Sequence, residues 1–113
     1  MIWPSFGEEF SEECAKLPDA AWRLHVEAIL WIYRTEQTGL RVPRHVALRL
    51  GGRNYTRSAG RLVTEGFWKP NGDGWEVIHH APVIREAFRL ATERRIRNKI
   101  VKRAARRRNG TAL

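Results

Sequence analysis

The chain has 113 residues, of which 42% are hydrophobic and 10% aromatic, and it carries a net charge of +9. That length supports one compact core and is short for two, and the apolar share is too high for a wholly disordered chain. No run approaches the roughly 18 apolar residues of a membrane span, the acidic residues 1–13 lack the basic and apolar regions of a signal peptide, and the lone Cys14 excludes an internal disulfide, so a cytoplasmic location is expected.

Residues 1–17 read as an arm in which Ile2, Trp3, Phe6 and Phe10 stand among glutamates. Leu17, Pro18 and Asp19 then mark the start of a long helix reaching about Gln37. Trp22, Val26, Ile29, Leu30 and Tyr33 recur at helical spacing and are expected to face the core, with Leu24 and Trp31 on the opposite side under the arm or a second subunit. Gly39 is the expected C-terminal cap. Leu40 to Val42 form a short extended run, and Pro43 opens a second helix that turns Val46, Ala47 and Leu50 inward. Gly51 and Gly52 allow a sharp turn, and Asn54 is a good N-cap for a third helix with Tyr55, Ala59, Leu62 and Val63 on its inner face and Gly66 at its end. Phe67 to Lys69 and Trp75 to His79 flank Pro70, Asn71, Gly72, Asp73 and Gly74, a β-hairpin pattern in which Asn-Gly takes positive φ. Ala81 and Pro82 break the chain before a last helix from about Val83 into a basic tail.

This order predicts an α+β fold, mostly helical: a winged helix-turn-helix over residues 18–82 with a two-stranded wing, followed by a long basic C-terminal helix over residues 83–113. The charge is unevenly placed along it. Residues 94–113 carry nine bases and no acid: Arg94, Arg95, Arg97, Lys99, Lys102, Arg103, Arg106, Arg107 and Arg108. Residues 37–64 carry six more, again with no acid: Arg41, Arg44, Arg49, Arg53, Arg57 and Arg61. Double-stranded DNA is the expected partner, because each phosphate met by Lys or Arg releases condensed counterions. On the third helix Arg57, Gly60, Arg61 and Thr64 lie opposite the core stripe, where arginine can bond guanine O6 and N7, Gly60 leaves room for close approach, and Thr64 meets a phosphate or a thymine methyl. Asn54 and Thr56 stand at the helix start, where base-edge contacts are usual, and Lys69 is the wing's candidate for a phosphate, with Asp73 and Glu76 nearby to oppose it.

The stretches LPDAAWRLHVEA (17–28), VPR (42–44), LVTEGFW (62–68) and GWEVIHHA (74–81) resemble the small winged-helix proteins of actinobacterial phages and prophages, over about residues 3–82. The resemblance implies DNA binding by a phage or mobile-element protein, as transcriptional regulator or replication-origin accessory, and some such domains are similar to the N-terminal domains of replication initiators. A partner-loading domain of longer relatives is not recognisable here, so an accessory role is expected rather than a full initiator.

Chemistry of other kinds finds little footing. His25, His45, His79 and His80 have no ligand-type residue at a coordinating spacing, and no nucleophile–base pair, phosphate loop or paired carboxylate is visible, so no metal, no cofactor, no small-molecule substrate and no catalysis are expected. Two other readings remain open. One is a protein adaptor that uses the same fold and the Trp31 side, and the other is non-specific nucleic-acid coating by the tail. In the tail, Ile84, Ala87, Phe88 and Ala91 lie on one face and Ile96, Ile100 and Ala104 on the opposite one, which makes a homodimer a candidate assembly.

Overall fold

The structure, a computed structural model, describes residues 15–111 of the chain and side chains as far as Arg107. The aromatic arm, Cys14 and the Arg108 side chain therefore lie outside the described residues. The architecture is α+β: helix α1 (Asp19–Thr35), strand β1 (Arg41–Val42), helix α2 (Arg44–Gly51), a 3₁₀ turn (Gly52–Asn54), helix α3 (Tyr55–Thr64), strands β2 (Trp68–Asn71) and β3 (Gly74–Val77), and helix α4 (Ala81–Thr111).

Helix α1 forms where expected but is rotated. Its buried side chains are Ala21, Leu24, His25, Ala28, Ile29, Trp31, Ile32 and Tyr33, whereas Trp22 is 39% exposed and Val26 and Leu30 are half-buried. The core stripe thus sits about 100°, one residue step, from the expected one. The reason is that Ala21, Ala28 and His25 count as core here: small residues let α2 and α3 pack close against α1, and their weak hydrophobicity hides the stripe beside Trp22. The helix also ends earlier than Gly39. Glu36 adopts the left-handed conformation at φ 56, with Glu36 N–H donating to the Tyr33 carbonyl and Gln37 N–H to the Ile32 carbonyl. This is the Schellman arrangement, made with glutamate where glycine is usual. Helix α3 ends the same way with Gly66 at φ 79 and Phe67 N–H donating to the Leu62 carbonyl at 2.8 Å.

The expected two-stranded hairpin is part of a three-stranded antiparallel sheet in the order β1-β3-β2. Strand β1 joins it through Arg41 opposite Glu76 and Val42 opposite Trp75. Gly74 permits the join, since a Cβ there would fall on the Val42 carbonyl and 3.0 Å from the Pro43 Cα. In the turn, Gly72 at φ 63 takes the positive φ while Asn71 stays in β2 opposite Gly74, which corrects the expected Asn-Gly pair. Pro70 sits opposite Trp75 on the outer strand.

Helix α4 begins at Ala81, two residues before the expected start, because a proline in the first turn gives up no helical hydrogen bond. It runs parallel to α1: Tyr33 stacks on Phe88 at 5.5 Å, and Arg95 reaches Glu36 in an ion pair. Ile84 and Phe88 are buried. From Arg94 to Arg107 every side chain except Ala104 is exposed. A 31-residue helix is about 46 Å long, and it gives the molecule its 65 Å long axis against 30 and 19 Å.

Between α1 and α4 the Tyr33 hydroxyl is buried with no hydrogen-bond partner among the described residues, and burial raises its pKa. A buried polar group left unpaired costs about 1–3 kcal/mol. Tyr33→Phe keeps the ring on Phe88 and removes that cost, so it is expected to raise stability by about 1 kcal/mol in a denaturant titration. A loss of stability would mean that the hydroxyl is bonded in solution.

Candidate nucleic-acid interface

Helices α2 and α3 pack on one another and on α1, joined by the 3₁₀ turn. Each buries one side. In α2 Val46 and Ala47 are buried while Arg44, His45, Leu48 and Arg49 are exposed, and in α3 Ser58, Ala59 and Leu62 are buried while Thr56, Arg57, Gly60, Arg61 and Thr64 are exposed. Tyr55 and Val63 are half-buried at the margin and pack on the core. Arg53 and Asn54 are exposed in the turn. Asn54 precedes α3 as expected but its side chain makes no capping bond. The 3₁₀ turn takes over that role, Tyr55 N–H donating to the Gly52 carbonyl.

The charges on this surface differ in what holds them. Arg61 pairs with Glu65 one turn on at 3.2 Å, Lys69 pairs with Glu76 across the hairpin at 3.2 Å, and Arg41 pairs with Asp73 and donates to the Asn71 carbonyl. The hairpin lysine expected to meet phosphate is thus already matched by an acid on the neighbouring strand. Arg44, Arg49, Arg53 and Arg57 make no ion pair among the described residues. The Thr64 hydroxyl donates to the Gly60 carbonyl at 2.9 Å, which spends its proton and leaves its methyl group and the lone pairs of its oxygen for an outside partner. A Cβ on Gly60 would meet nothing within 4 Å, so the middle of the α3 face is bare backbone with open space above it.

In the tail, Arg94, Arg95, Arg97, Lys99, Lys102, Arg103, Arg106 and Arg107 are all exposed. Arg95 is held by Glu36 and Arg97 lies 3.9 Å from Glu93. Ile96, Ile100 and Val101 are 54%, 61% and 65% exposed. Trp31, offered above as an adaptor's docking side, is buried instead, and among the described residues the exposed tryptophan of α1 is Trp22.

One cluster was not expected. His25, on the buried side of α1, lies with its ring 6.0 Å from that of His79 and 6.2 Å from that of His80, and edge-on to Phe67 at 5.2 Å. Indole nitrogen only donates, so the 3.0 Å bond from Trp68 Nε1 to His25 Nδ1 makes Nδ1 the acceptor and places the ring proton on Nε2. Burial first, and the neighbouring His79 and His80 second, lower the His25 pKa from 6.5 to about 3. The ring is a neutral core element with one nitrogen spent on Trp68. No group of three His, Cys, Asp or Glu residues among the described residues is placed to hold a metal ion, and no described helix is long and apolar enough to cross a membrane.

No family model, curated protein or solved structure matches this chain.

Proposed function

We propose that this protein binds double-stranded DNA in a sequence-specific manner, as a winged helix-turn-helix protein whose α3 enters the major groove and whose β2–β3 hairpin is the wing. A transcriptional regulator or a replication-origin accessory of a phage or mobile element is the role that fits such a reader. The observation that carries the proposal is the set of Arg44, Arg49, Arg53 and Arg57, exposed on two successive helices and their turn with no acid paired to them among the described residues. Between Arg57 and Arg61, the open backbone at Gly60 and the exposed Thr56 and Thr64 make a convex helix face whose other side chains are small, which suits insertion between phosphate ridges. The hairpin adds little charge to the contact, because Lys69 and Arg41 are matched by Glu76 and Asp73.

Selection of bound duplexes from a random pool tests the proposal, and a recovered motif is the expected result. On that motif Arg57→Ala is expected to lose about 1–3 kcal/mol, roughly 5- to 150-fold, with an unchanged melting temperature. Arg61→Ala should lose less, since Arg61 must first give up Glu65. A pool that yields no motif, or an Arg57→Ala protein that binds like the parent, removes α3 as the reader.

A further inference from the structure

The side of α4 that packs against α1 continues past the end of α1. Ile84, Phe88 and Ala91 lie on that side, followed by Arg95 at the ion pair with Glu36. Steps of three and four residues along the same side then reach Lys99, Lys102 and Arg106, with Arg103 beside them. Helix α1 stops at Thr35, so the stripe that begins as core ends as a line of bases beyond the domain's edge, all of them exposed. The back of the same segment carries Ile100, Val101 and Ala104, with Arg94 and Arg97 off the basic line.

Bases three and four residues apart on one helix face repel one another, and beyond Arg95, which Glu36 holds, no acid among the described residues is paired with Lys99, Lys102, Arg103 or Arg106 to relieve them. From Arg95 to Arg106 the line is roughly 16 Å long, and a duplex presents about one phosphate charge per 1.7 Å of its axis. We infer that this face of α4 binds the phosphate backbone of the duplex beside the segment read by α3, and that it does so without reading bases; the inference rests on the duplex-binding reading of α3. A second copy of the chain is a poor occupant, since its own α4 brings the same line of positive charge.

The test compares two charge-matched double variants of the full chain, Lys99→Gln/Lys102→Gln on the line and Arg94→Gln/Arg97→Gln off it. Binding is measured between 50 and 200 mM salt on a selected duplex and on a scrambled one of equal length. The on-line pair is expected to lower the slope of log K against log salt by roughly 1.8, so that the parent's advantage shrinks about twelvefold across that range, equally on both duplexes. The off-line pair should lower it by less than about one unit. Equal slope changes in the two pairs overturn the inference, as does a loss of preference between duplexes in the on-line pair. Light scattering that shows a parent dimer lost only in the on-line pair also overturns it, by naming a second copy as the occupant. A parent with no preference sinks the α3 reading, while the slope comparison still decides the α4 face.

Discussion

Taking the protein from pH 7.5 to pH 4 is expected to cost about 3 kcal/mol of stability through His25 alone, rising toward 5 kcal/mol below pH 3. His25 has a folded pKa of about 3 against 6.5 for the ordinary ring, because it is buried and because His79 and His80 stand next to it. A depressed histidine pKa means that the unfolded chain binds the proton more readily than the folded one. The stability it contributes is present in full above pH 6.5 and is lost as pH falls from 6.5 toward 3, at about 1.4 kcal/mol per pH unit. Protonation also breaks the bond from Trp68, since Nδ1 cannot accept while it carries a proton. The measurement is urea unfolding at several pH values, with His25→Gln as the reference. Glutamine keeps an acceptor for the Trp68 indole and does not titrate, so the difference between the two proteins isolates this ring from the carboxylates. Parallel pH profiles would show that His25 is protonated in the fold.

Leu62→Ala is expected to destabilise the protein by about 2–5 kcal/mol, a fall in melting temperature of roughly 8–20 °C. Leu62 is fully buried on the side of α3 that packs against α1, and its carbonyl receives Phe67 N–H in the cap that starts the hairpin. Truncation leaves a cavity between two helices that cannot both collapse into it without shifting that cap. The comparison with Arg57→Ala is informative because the two residues lie on opposite sides of one helix. One should lower the melting temperature and the other only the affinity. An unchanged melting temperature for Leu62→Ala would mean that α3 is rotated from its place in the structure.

Helix α3 and the hairpin were legible in the sequence because their signals are local: a polar face with four large or small extremes, and a turn whose glycines sit where positive φ and close approach need them. The same locality exposes two of the ion pairs. Arg61 and Glu65 are four apart on a helix, and Lys69 and Glu76 face each other once Asn71 is set opposite Gly74. Helix α1 was misjudged in rotation because its contact surface is built from Ala21, Ala28 and His25, while the large apolar Trp22 beside them stays exposed. Its end was misplaced because Glu36 does the work usual for glycine. The meeting of His25 with His79 and His80 in the turn before α4, and of Glu36 with Arg95 on it, depends on packing between segments distant in the chain, which no local pattern carries.

The borders of the small sheet have a consequence for self-association. An unpaired strand edge is a template on which another chain can add its own strand, and proteins that must stay dispersed blunt it. Here β1 is two residues long and is cut off by Pro43, which turns the chain into α2. On the other border, the bonded pairs of the β2–β3 ladder alternate from Asn71 to Lys69, so Pro70 faces outward and supplies no N–H to an incoming strand. Both borders are thus blunted against strand addition, and copies of this protein that meet through α4 bring together surfaces alike in charge.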